Sequence, residues 1–140
     1  MLFSAKAEYA CVAMLELAAR QNEPKPARLA DIADRHGIPP RFLVQILLDL
    51  KRAGLVASTR GAAGGYALAR LPDEISMYDV LNVVDPTEQH ARADDPLQPT
   101  TYVHNIRSVW DKIVEMQEAI LKETTLASLL EQSHGLQYVI

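Results

Sequence analysis

One cysteine, Cys11, is all the thiol in a chain of 140 residues. An intrachain disulfide is excluded, and such sparing cysteine usage suits a reducing compartment. No run of about 18 apolar residues occurs, so no membrane-spanning helix and no membrane partner are expected. The opening Met-Leu-Phe-Ser-Ala-Lys lacks a basic segment followed by a long apolar one. No signal peptide is therefore expected, and the expected location is cytoplasmic. HExxH, GxSxG, the P-loop and CxxC are all missing. Each of these spacings places a metal, a nucleophile or a phosphate cradle, and without them no enzyme activity is expected.

Basic charge is also short, with a formal net of −4. That total hides an asymmetry. Residues 1–72 hold 10 Lys and Arg against 6 Asp and Glu, whereas residues 73–140 hold 4 against 12. A phosphate-bearing partner responds to the local field, so the split favours an anionic partner on the N-terminal half. The modest excess there predicts modest nonspecific affinity. Apolar residues make up 49% of the chain, enough for a core in one domain of this length.

The region from Arg28 to Arg70 organises the rest. Leu29, Ile32, Ala33 and His36 recur at helical spacing, which predicts one amphipathic helix with these four on one face. Gly37 and Pro39-Pro40 end it and start a second helix, on which Leu43, Ile46, Leu47 and Leu50 repeat the pattern. Arg41, Gln45 and Arg52 fall on the other side, with Lys51 beside them. Leu55–Ala57 and Tyr66–Leu68 read as strands, joined by the tip Arg60-Gly61-Ala62-Ala63-Gly64-Gly65.

Helix, turn, helix and hairpin make a winged helix, and the expected fold is mainly α with a small β-hairpin wing. That architecture implies double-stranded DNA. A recognition helix enters the major groove only if one side is fixed to the body and the other offers hydrogen-bonding groups. Arg41 can reach phosphate or guanine, and Gln45 can pair with adenine through two hydrogen bonds. Gly61, Gly64 and Gly65 let the tip turn tightly and approach a phosphodiester, and Arg60 can reach phosphate or a minor groove. Two other readings stay open: an ordinary helical hairpin with a surface loop, and a winged helix that docks a protein.

Three stretches carry a family resemblance. They are Ser4-Ala5-Lys6-Ala7-Glu8-Tyr9-Ala10, then Leu29-Ala30-Asp31-Ile32-Ala33, then Gly54 to Tyr66 with its RGxxGGY wing. The chain resembles the Rrf-two (BadM-type) family of bacterial winged-helix transcription regulators. The likeness continues through Ile75–Val84 and into the long helix holding Trp110. It implies a homodimeric regulator, a repressor by type, on a palindromic operator, often sensing iron–sulfur status, nitric oxide or cysteine supply. It also implies phosphate contacts from Lys6 and Tyr9; a solvated lysine and a packed tyrosine are the alternative.

This chain departs from the cluster-sensing members. Val44 stands where many carry a glutamate implicated in base discrimination, and Leu48 replaces a commonly polar residue. Both make the presented surface more apolar, which favours thymine methyls, so those relatives' operator is not carried over. The three loop cysteines of such members are missing from Asp85–Thr101, and thiolates are what normally hold such a cluster. No cofactor and no metal are expected. Glu8 reads as a surface carboxylate, Cys11 as a small core residue, and His90 and His104 as solvated. A low-cysteine site assembled from Glu8, Cys11 and a histidine of two chains is the alternative.

The remaining elements follow from capping and period. Ser4 caps a first helix reaching about Arg20, with Ala10, Ala13, Met14 and Leu17 inward. Residues 21–27 read as a polar connection. Ser76 caps a short helix bearing Val80, Leu81, Val83 and Val84. Residues 85–101 read as a loop, which divides a DNA-binding part (1–84) from a C-terminal part (102–140) within one compact unit. From Val103 to about Lys122, the residues Ile106, Val109, Ile113, Met116 and Ile120 step by 3 and 4, the seam of a coiled coil. Trp110, Val114 and Leu121 widen that stripe, so pairing with a second copy is expected, against packing on its own domain. Thr125 caps a further short helix with Leu126, Leu129 and Leu130. The apolar ending Gly135–Ile140 resembles that of the cluster-free cysteine-metabolism type, which works with a partner enzyme. Docking of this tail on the dimer is the competing reading.

Overall fold

The fold is taken from a computed structural model that describes residues 3–86 and 96–139, with side chains as far as residue 134. Helix α1 (Ala5–Ala19) starts where Ser4 Oγ accepts a hydrogen bond from the Ala7 amide at 3.1 Å. Its inward face is Ala7, Ala10, Ala13, Met14, Leu17 and Ala18, all buried. Alanine's small side chain lets neighbouring backbones come close, and α1 accordingly lies at the centre of the core, against helices on several sides.

Helices α2 (Leu29–His36) and α3 (Pro40–Arg52) form the helix-turn-helix. Gly37 closes α2 at φ 69°, a left-handed value that costs glycine nothing. Pro40 opens α3 at its first position, where the missing amide is not needed. Leu43, Ile46, Leu47 and Leu50 are fully buried, as the period predicts. His36, on the same face of α2 as Ile32 and Ala33, lies outside the apolar core, with Nε2 2.7 Å from Glu16 Oε1. A polar ring at a helix end gains more from a buried carboxylate than from an apolar wall.

The wing is β1 (Val56–Thr59) paired antiparallel with β2 (Gly65–Leu68), Val56 opposite Leu68 and Thr59 opposite Gly65. The pairing runs two residues beyond the strand expected at Leu55–Ala57, and Gly65 belongs to β2 rather than to the tip. Ala27 adds a third partner: its amide donates to Tyr66 O at 2.9 Å and its carbonyl accepts from Tyr66 N at 2.7 Å. The segment expected to be a plain connection thus ends pinned to the wing. This explains Gly65, since a Cβ there would collide with the Ala27 carbonyl.

A single 3-10 turn (Pro72–Glu74) leads to α4 (Met77–Val84). Ser76 and Asp79 cap each other's backbone amides reciprocally. Helix α5 (Thr101–Glu123) begins two residues earlier than expected, because Thr100 Oγ1 accepts from the Val103 amide at 3.4 Å. Residues 87–95 of the expected loop, His90 among them, lie outside the described residues. Helix α6 (Leu126–Val139) follows at once, opened by Thr125 and Ser128 bonded to each other's amides at 3.1 Å. Leu126 N donates to Ile75 O at 3.0 Å and Met77 N to Thr124 O at 2.8 Å, and Leu126 itself is buried in the core. The helix continues into the stretch read as a tail, and the side chains of residues 135–140 lie outside those described.

Candidate nucleic-acid interface

Two stripes run along α3, and they interleave. The buried one is Leu43, Ile46, Leu47 and Leu50; the exposed one is Arg41, Val44, Gln45 and Leu48. Each follows helical spacing, and an offset of two residues turns the second stripe away from the body. Arg41 is held in place: its guanidinium lies over the Phe42 ring, 4.8 Å from the centroid. Phe42 in turn lies 6.4 Å from the Tyr9 ring of α1. Tyr9 is half-buried against the core, so the packed reading describes most of it.

Gln45 is also held. Its Nε2 donates to Asp49 Oδ1 at 3.0 Å, and Lys6 Nζ sits 3.6 Å from Asp49 Oδ2. The carboxylate accepts only, so the amide nitrogen must face it, which leaves the Gln45 oxygen and the second amide hydrogen outward. Lys6, Tyr9, Arg41 and Gln45 are thereby drawn together around the outer side of α3. Lys51 and Arg52 are exposed in its last turn, where positive charge also suits the helix dipole.

Arg60 and Gly61 are exposed on the wing, with Gly64 and Gly65 half-buried at its inner edge. Gly61 has φ 107°, a value only glycine takes readily, and a Cβ on Gly64 would collide with the Thr59 carbonyl. The tip is tied to the body by Arg28, whose Nη2 donates to Ala62 O.

On α5 no residue is buried. Ile106, Val109, Trp110, Met116 and Ile120 are exposed, with Met116 at 68%, and Ile113 is half-buried. Val114 is exposed with them. Leu121 is not: it packs on its own core, so it leaves the stripe expected to include it.

The Rrf2 family, described as an iron-dependent transcriptional regulator, matches residues 3–132. The chain belongs to the Rrf2 family. It is similar to a Mycobacterium tuberculosis (H37Rv) protein named provisionally as the HTH-type transcriptional regulator Rv1287, at 42% identity over 134 residues, 92% of this chain and 81% of that one. The solved structure of T. potens IscR shares 35% identity at a TM-score of 0.81, covering 98% of this chain and 91% of its own. CymR, the global cysteine regulator of B. subtilis, shares 31% identity at a TM-score of 0.80, covering 94% and 98%. The winged-helix expectation holds, and this Rrf2 protein is a helix-turn-helix, DNA-binding transcriptional regulator.

Iron is implied by the family description, and the donor set here does not fit a thiolate-held iron site. Cys11 is the sole thiol. Burial, with the nearby Glu8 charge adding to it, pushes its pKa up to about 11, so the thiolate that would bind metal is disfavoured at neutral pH. Glu8 and His104 are exposed. Among the described residues no three His, Cys, Asp or Glu side chains converge.

The residue that sequence reasoning missed most clearly is Glu16. It is 4% exposed yet bears three partners: Arg20 Nε at 2.6 Å, His36 Nε2 at 2.7 Å and Arg35 Nη1 at 3.0 Å. Burial pushes its carboxyl pKa up. The hydrogen bonds from Arg20 and His36 and the charges of Arg35 and Arg20 outweigh that and hold it below the ordinary value. Facing an ionised carboxylate, His36 must carry its proton on Nε2. The cluster clamps α2 onto α1 and so orients the helix-turn-helix. Its only sequence signal is the Glu16–Arg20 spacing; Phe42, Asp49 and Arg28 gave none.

Proposed function

We propose that the protein is a homodimeric repressor that binds a palindromic operator, with α3 in the major groove and the wing on the flanking backbone or minor groove. The observation that carries the dimer is α5: 23 residues with none buried and a row of large apolar side chains left open to water. Burying an isoleucine or valine stabilises by about 1.5–3 kcal/mol, so a second α5 against this row is worth forming. Lys6 and Arg60 supply phosphate contacts, which position the protein, and Arg41 and Gln45 supply base contacts, which specify the sequence. Tyr9 supports Phe42 and Arg41 rather than reading DNA itself. Such work belongs in the compartment that holds the chromosome, and it needs no iron cofactor.

Two reading helices related by a dyad need half-sites about 34–36 Å apart, one helical turn, or a multiple of that. The test is a duplex selected by the purified protein from genomic fragments, with about half a turn inserted at its centre. Tight binding is lost if the two heads are rigidly coupled. Unchanged affinity means that each α3 binds alone and that the dimer reading is wrong.

A further inference from the structure

We propose that Val44 and Leu48 read thymine methyl groups in the major groove, on either side of the polar contact made by Gln45. This rests on the DNA-binding reading of α3 and deepens it to particular bases.

The two side chains are 50% and 37% exposed on a helix whose opposite stripe is fully buried. Helical amphipathicity alone would place polar residues there. Phe42, the other exposed apolar residue of α3, is already engaged by Tyr9 and by the Arg41 guanidinium. Among the described residues, no ring or cation–π contact of this kind involves Val44 or Leu48.

The surroundings select the occupant. Arg41, Lys51 and Arg52 border the stripe, and Lys6 adds a further positive charge beside Asp49. A second copy presenting the same basic border would meet like charge. Duplex DNA complements it, because phosphates line both rims of a groove whose floor is less charged. On that floor only thymine offers a methyl group, while the other bases present hydrogen-bond donors and acceptors and, at cytosine, a bare C5–H. An apolar side chain pressed against those polar edges would strip them of water without replacing the hydrogen bond. Val44 and Leu48 therefore gain at thymine and lose elsewhere. One helical turn separates them, about 6 Å along the axis, which spans roughly two base steps. The Gln45–Asp49 bond fixes the amide between them, so the three contacts keep a constant order along the groove.

The probe is the tightest duplex that the purified protein selects from a random-sequence library, with each thymine replaced singly by deoxyuridine, which lacks only the 5-methyl. Affinity should fall about fourfold at one or two thymines in each half-site, the value of one buried methyl. Val44→Ala should abolish the distinction between thymine and deoxyuridine at one of these positions, and Leu48→Ala at another. Both residues are exposed, so the variants keep the fold. If every substituted duplex binds as the parent does, or if the penalty persists unchanged in both variants, the proposal is overturned while DNA recognition by α3 stands. Failure to select any duplex overturns the DNA-binding reading and this proposal with it.

Discussion

Nε2 of His36 lies 2.7 Å from Oε1 of Glu16, although 20 positions separate the two residues in the chain. The contact makes the angle between α1 and α2 depend on one ionised carboxylate. Glu16→Ala is expected to cost about 2 kcal/mol, within the range for a hydrogen bond to a charged group, since Arg35 is largely exposed and regains water. The native carboxyl titrates below the ordinary 4.5, so the unfolded chain binds more protons between the two values. The Glu16 contribution is full above pH about 4.5 and is lost as pH falls through the native value. Urea midpoints should therefore drop on acidification, and Glu16→Gln should make that limb shallower. An identical acid limb in the Gln variant would locate the sensitivity in another group.

Much of this fold can be read from local pattern. Leu43, Ile46, Leu47 and Leu50 announce the inner face of α3, and Ser4, Gly37 and Ser76 mark helix ends, because caps and periods depend on residues a few positions apart. What the pattern misses is nonlocal. Period puts His36 on the face of Ile32 and Ala33, but nothing local announces its carboxylate partner on another helix. Ala27 joins the wing through backbone bonds to Tyr66, which no side chain advertises. Phe42 reads as core on any amphipathic helix, yet it is the platform under Arg41. The candidate interface is legible in part for the same reason: the exposure of Arg41 and Gln45 follows from their facing away from a predicted core, while Asp49, which holds the Gln45 amide, looks like any surface acid.

Arg28 tethers the wing tip to the start of α2 through the Ala62 carbonyl. Arg28→Ala should leave stability within about 0.5 kcal/mol, as for most exposed substitutions. It should weaken DNA binding across sequences, because a loose wing costs ordering energy on contact. Anisotropy titrations on matched and scrambled duplexes would show equal losses on both. A loss confined to the matched duplex would mean that Arg28 itself touches a base.

Ile113 and Ile120 belong to the row on α5 that is proposed to pair. Changing both to lysine should yield monomer or insoluble protein, since two charges per chain would enter an apolar seam. Sedimentation equilibrium decides. A soluble dimer of unchanged affinity would put the interface on another surface.

Gln45 and Arg60 are proposed to divide the labour of recognition, and substituting each in turn separates base reading from phosphate holding. The measurement is sequence preference from library selection, made in parallel with the wild-type protein, Gln45→Ala and Arg60→Ala. Loss of a bidentate contact costs about 1–3 kcal/mol of discrimination, so Gln45→Ala should relax preference at one base pair in both half-sites and change nonspecific binding little. Arg60→Ala should preserve the preferred sequence, weaken all binding and make its salt dependence shallower. The opposite pattern, an unchanged preference in Gln45→Ala and an altered base pair in Arg60→Ala, would show that the wing and not α3 reads the sequence.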